Sequence, residues 1–191
     1  MEEESFLNPT YGCESDNKTI MELAKKLAGN QQDKEKIAKI FFEFVRDTIE
    51  FKVDPVVGAL ETLKRKSGAC LDKSSLLIAL CRAAKIPARY VLLTAQILPK
   101  KKVDIQELPH VVAEVKIKGQ WKILDTALDQ GMKSMFDIPT FDDPKWWKKT
   151  SPIMGRISEI EKSMVDNLNR GYTTDPIAIK LMELIKQARK G

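Results

Sequence analysis

Hydrophobic periodicity changes twice along this chain, and that order constrains the fold more than any other feature. From Asn17 to Ala84 apolar residues recur at helical spacing: Ile20, Leu23, Ala24 and Leu27, then Ile37, Ile40, Phe41, Phe44 and Val45, then Leu77, Leu80, Cys81 and Ala84. A stripe at i, i+3, i+4 is the buried face of an amphipathic helix. From Ala88 the signal becomes that of strands. Ala88 to Ala95 is rich in strand formers, Val111 to Ile117 alternates, Lys118-Gly119 supplies a turn, and Gln120 to Thr126 returns. Helical spacing resumes at Ile157, Ile160, Met164 and Leu168, and again at Leu181, Leu184, Ile185 and Ala188. Helices first, then an antiparallel β-region, then more helices predict an α+β fold rather than an alternating α/β one.

Local punctuation sets the boundaries. Asp33 is placed to cap the second helix, Gly29 stops the first, Ile86-Pro87 ends the third, and Asp175-Pro176 opens the last. A chain of 191 residues fits one domain. We read residues 1–16 as an irregular arm, 17–127 as the core, and 128–191 as a loop and helical extension packed on that core. The polar, Lys-rich stretch from Leu98 to Pro109 reads as a loop. The proline-containing region from Met132 to Pro152 reads as irregular, with Trp146-Trp147 packed on the core.

Composition removes several function classes. Hydrophobic residues make up 43% and charged residues 31%, too apolar for a disordered chain. The richest apolar run, Leu76 to Ala84, is broken at Arg82, so no transmembrane helix is expected. The acidic opening Met1-Glu2-Glu3-Glu4 lacks the order of a signal peptide, and three cysteines without close pairs make no disulfide framework; both point to the cytoplasm. The charge is +5, from 32 basic and 27 acidic residues that interleave, which argues against a nucleic-acid partner. Cys13, Cys70, Cys81 and His110 are separated by 57, 11 and 29 residues, with no Cys-x-x-Cys knuckle, so no metal site is expected. No organic cofactor is implied.

The chemistry must then run through the single histidine, His110. Of the three possible thiol partners, Cys70 follows Gly68-Ala69 at the start of a helix. Free backbone N–H groups and the positive helix end favour a thiolate there and could hold an oxyanion. Cys81 lies deep in the same helix and reads as a core thiol, and Cys13 lies in the arm. If Lys118 and Gly119 form a two-residue turn, Ile117 faces Gln120 and Asp125 faces Val112. Asp125 then shares a sheet face with His110, one diagonal step away and within reach of it. A three-residue turn would put it on the other face. Cysteine, histidine and aspartate so arranged form a nucleophile, a base and its orienter.

The ordered segments Thr62 to Lys73, Leu80 to Ala84, Ile86 to Val91, His110 to Val115 and Trp121 to Asp125 resemble the transglutaminase-like superfamily. The resemblance implies a papain-like core and a Cys70, His110, Asp125 triad. Gly68 leaves room for a substrate to approach, and Gly68, Ala69 and Trp121 are the candidate substrate-binding or oxyanion region. The chain departs from the family pattern at Val111-Val112, where Ala-Trp is common, and at Lys85, where glycine is usual. The expected function is a cysteine-dependent amidohydrolase or acyltransferase that acts on a peptide or protein carboxamide, with an amine as a possible acceptor. The alternative is a binding or scaffold module on the same fold, its triad unused or occluded by 128–191. The loop from Leu98 to Pro109 is the candidate substrate-gating flap.

Overall fold

The computed structural model describes residues 2–100, 107–143, 146–150, 153–171 and 176–190. Its helices are α1 (Glu2–Ser5), α2 (Lys18–Ala28), α3 (Lys34–Thr48), α4 (Ala59–Arg65), α5 (Cys70–Ala83), α6 (Lys162–Gly171) and α7 (Pro176–Ala188). The strands are β1 (Glu50–Phe51), β2 (Ser67–Gly68), β3 (Ala88–Ile97), β4 (Glu107–Ile117), β5 (Gln120–Leu124), β6 (Trp147–Lys149) and β7 (Gly155–Ile157). Helix starts follow local chemistry. The Asp33 carboxylate accepts the N–H groups of Glu35 and Lys36, and Asn17 accepts that of Thr19.

The main sheet is antiparallel, ordered β5-β4-β3, and the outer edge of β3 pairs in series with β7 and β6. Lys118 and Gly119 take positive φ, 49° and 81°, as a two-residue hairpin turn of matching twist requires. Ile117 therefore pairs with Gln120 and Ala113 with Leu124. The sheet's two faces bury different cores. Tyr90, Ala113, Val115 and Leu124 share one core with the helices α2, α3 and α5, which contribute Ile20, Phe41, Phe42, Leu77 and Cys81. Val91, Leu93 and Val112 face a second cluster built from Phe51, Phe136, Trp146, Trp147 and the α7 residues Leu184 and Ile185.

Two buried cations fasten the core. Arg82, 1% exposed, gives its guanidinium to the carbonyls of Asn8, Ala88 and Ser158, and so ties the arm and the β7–α6 connection to the α5–β3 corner. Lys73 donates to the carbonyls of Ile49 and Arg46 at the end of α3. Arg189, just past α7, bonds the carboxylate of Asp129 and the carbonyl of Phe51, which anchors that helix beside the second core.

Several expectations change. The arm contains the one-turn helix α1 and a bridge between Thr10 and Cys13. Strand β4 begins at Glu107, within the expected loop, and residues 101–106 of the gating flap lie outside the described residues. Ile157 belongs to β7, not to a helix, which begins at Lys162. The unpaired edge of β3 explains this: Tyr90 to Leu92 offers ladder partners that Gly155 to Ile157 takes up. In the stretch expected to be irregular, Trp147 to Lys149 forms β6 on the same edge. Asp175, the expected cap of α7, lies outside the described residues.

Candidate active site

Cys70 is the first residue of α5, with Ala69 as its cap. Its N–H therefore lacks an intrahelical acceptor. The approach to it is fixed by β1 and β2, which pair in parallel, Phe51 opposite Gly68. While the interior of α5 packs on the first core, Cys70 stands at its end and packs against the second, partly exposed. One turn on, the Ser74 hydroxyl donates to the carbonyl of Val111 at 3.2 Å, which holds the helix against β4 next to His110.

Gly68 is needed for a reason other than substrate access. A Cβ at this position would stand 2.6 Å from the Cβ of Asp72. That side chain stitches the junction, accepting from the Val57 N–H at 2.9 Å and the Ala69 N–H at 3.2 Å. Burial pushes the Asp72 carboxyl up to about 6, against the pull of those N–H groups. The close packing of Gly68 on Asp72 thus sets where α5, and with it Cys70, begins.

His110 lies in β4 opposite Leu93, and Asp125 follows the last residue of β5. The register puts both on the second-core face, where the Asp125 Oδ2 meets the His110 Nε2 at 2.8 Å. The other ring nitrogen is clear of Asp125, and Cys70 is close enough to bear on the imidazole. Histidine and aspartate are 2% and 3% exposed, so little water screens the pair. Burial alone would lower the imidazole. The charge and hydrogen bond of Asp125, together with Cys70, outweigh it and push His110 up to about 10. Burial likewise opposes the charge of Asp125, yet His110, the Ala127 N–H and Trp147 hold its carboxyl below the ordinary value.

The carboxylate has two further partners that sequence reasoning missed. The indole N–H groups of Trp146 and Trp147 both donate to Oδ2, at 2.9 and 2.5 Å. Both rings also meet the imidazole edge-on, with centroids 5.1 and 5.4 Å away. The adjacent pair of tryptophans was the available signal, read only as core packing. Lys73 was missed as well. It is fully buried, and burial pushes its ammonium down to about 7 against the pull of Asp129, Asp125 and Asp47.

Trp121 is not brought to this site. It pairs with Lys116, six residues along β4 from His110 or roughly 20 Å of strand. There Arg89 lies 3.9 Å over its ring and Phe6 packs edge-on. The guanidinium of Arg89 is in turn bonded to the buried carboxylate of Glu114. The other cysteines, Cys13 and Cys81, are fully buried. Burial pushes the Cys13 thiol up to about 11 and raises that of Cys81 as well. Among the described residues no cluster of three or more His, Cys, Asp or Glu could hold a metal ion, and no helix is long and apolar enough to cross a membrane.

With this geometry in view, a family model for the transglutaminase-like superfamily matches residues 21–126, more than half of the chain. The crystal structure of a putative cysteine protease from Cytophaga hutchinsonii is similar, with 25% identity and a TM-score of 0.57 over 82% of this chain and 53% of that one. This chain thus spans about half the length of that protein. A putative protease from Parabacteroides distasonis matches at 13% identity and a TM-score of 0.41, over 56% of this chain and 22% of that one. No curated protein matches.

Proposed function

This chain belongs to the transglutaminase-like superfamily, and from that premise we propose that it is a cysteine-dependent enzyme, of the cysteine-protease type, that opens a peptide or carboxamide bond through a thioester. The observation that carries the reading is the imidazole of His110, bonded to Asp125 on one nitrogen and engaged with Cys70.

An imidazole pushed up to about 10 rests as imidazolium at neutral pH. In the reacting form we propose, this imidazolium faces the sulfur of Cys70 as a thiolate. The thiolate attacks the carbonyl carbon, and the N–H of Cys70 faces the developing oxyanion. His110 gives its proton to the leaving amine as the C–N bond breaks, which leaves a thioester. The neutral imidazole next takes a proton from water, or from an acceptor amine, as that nucleophile attacks. The thiolate departs with a carboxylate or a new amide as product. Asp125 keeps the ring oriented throughout.

The test is covalent labelling of the full-length chain with a peptide acyl electrophile, followed by mass spectrometry. Labelling is expected at Cys70 and abolished in Cys70→Ala. Because Cys13 and Cys81 are buried, preference for Cys70 alone proves little; dependence on the histidine decides. We expect His110→Ala to slow labelling by about 10²-fold or more. Equal rates in wild type and His110→Ala would leave the fold as a scaffold only.

A further inference from the structure

The Asp125 carboxylate is held by more than its histidine. Its Oδ1 accepts the Ala127 N–H at 2.8 Å, and its Oδ2 accepts three donors: the imidazole and both indoles. The indole donors come from residues 146 and 147, beyond the 21–126 stretch that matches the family. They arrive because β6 adds to the outer edge of β3, with Trp147 opposite Ile97. Both rings are buried, 1% and 6% exposed, and Phe136 packs edge-on against Trp146.

We infer that Trp146 and Trp147 are positioning residues for the proposed reaction: their paired N–H groups lock the Asp125 carboxylate in the one rotation that aims Oδ2 at the His110 Nε2. The inference rests on the function proposed above. An indole N–H suits this task because it donates only and does not titrate, so it can fix a carboxylate without competing for the proton that His110 carries. A carboxylate with a single imidazole partner could turn about its Cβ–Cγ bond and lose alignment. Two more donors on the same oxygen, from a wall that also excludes water, remove that freedom. Among the described residues, Asp125 and Cys70 act on His110 directly, and Lys73 in the helix behind is acted on by Asp125, Asp129, Asp47 and Arg189.

Having one histidine makes the test clean, because a chain labelled with [¹³Cε1]-histidine gives a single titrating NMR signal. The titration midpoint of His110 is followed in the full-length wild type and in Trp146→Phe and Trp147→Phe. A third protein carries β-(3-benzothienyl)alanine at position 147, where sulfur replaces the N–H at nearly the same shape. Iodoacetamide alkylation of Cys70 is timed at pH 7.5 in each. We expect loss of either donor to lower the midpoint by about one unit or more, a ten-fold loss of proton affinity. Alkylation of Cys70 at pH 7.5 should change little, because a midpoint about one unit lower still leaves the ring protonated there. A midpoint that is unchanged or moves up overturns the inference, even if the melting temperature falls, because the rings then serve packing alone. The benzothienyl protein decides the matter should the phenylalanine variants fail to fold. If instead wild-type Cys70 labels no faster than in His110→Ala, the proposed function fails while the histidine titration still judges the clamp.

Discussion

Substituting alanine for Gly68 perturbs the site at the smallest possible scale, one methyl group, and the structure sets its cost. The new Cβ would stand 2.6 Å from the Asp72 Cβ, far inside ordinary carbon contact, and that atom is too close to the backbone to escape by changing rotamer. Either β2 or the first turn of α5 must move. Overpacking a rigid junction costs about 1–3 kcal/mol. Movement of Asp72 also weakens one of its two bonds, to the Val57 and Ala69 N–H groups, and a bond to a charged acceptor is worth about 1.5–3 kcal/mol. The expected destabilisation is therefore about 2.5–6 kcal/mol, or a fall in melting temperature of about 5 °C or more for a chain of this size. Calorimetry measures the first effect. Alkylation of Cys70, displaced with the start of α5, measures the second and should slow. A double-mutant cycle isolates the cause: in an Asp72→Gly background the clashing Cβ is gone, and Gly68→Ala should then cost within about 0.5 kcal/mol of nothing. Equal costs in the two backgrounds would refute the steric account.

Further outcomes follow from electrostatics and packing. The folded imidazole of His110 binds its proton more tightly than an unfolded one, about 10 against 6.5. Its contribution to stability is therefore full below pH 6.5 and lost as the pH rises toward 10. The difference in melting temperature between wild type and His110→Gln should shrink across that window, and a constant or growing gap would count against the ion pair. Trp121→Leu should lower stability by about 1–3 kcal/mol, through lost packing with Phe6 and Arg89, and leave the rate of Cys70 alkylation unchanged. A slowed alkylation would return Trp121 to the site.

How much of this was legible in the sequence depended on whether the signal was local. The pairing of β4 with β5 was readable because Lys118-Gly119 is the entire turn and a two-residue loop leaves one register; the approach of Asp125 to His110 follows from it. The cap at Asp33 was readable for the same reason. The partners of Asp125 were not. Trp146 and Trp147 reach it through β6, a strand of three residues, too short to show a period and defined only by the β3 edge it joins. Trp121 was placed wrongly because a family pattern fixes position along a strand but says nothing of how far that strand runs from the site. Gly68 was assigned to substrate access because a glycine beside a cysteine offers no sign of what occupies the space it leaves. Lys73 gave no signal at all, since a lysine one turn into a helix is ordinarily solvated and here ends beneath the carbonyls of α3.

The guanidinium of Arg82 answers to three carbonyls that lie 74, 6 and 76 residues away along the chain. None is a carboxylate, so its charge is dispersed only when all three are in place. On the ribosome the residues up to 82 emerge long before Ser158 does, and domains generally mature from the N-terminus onward. The corner where α5 turns into β3 is thus left with part of that charge unquenched until Ser158 has been added. A nascent chain stalled before residue 158 keeps that corner wet.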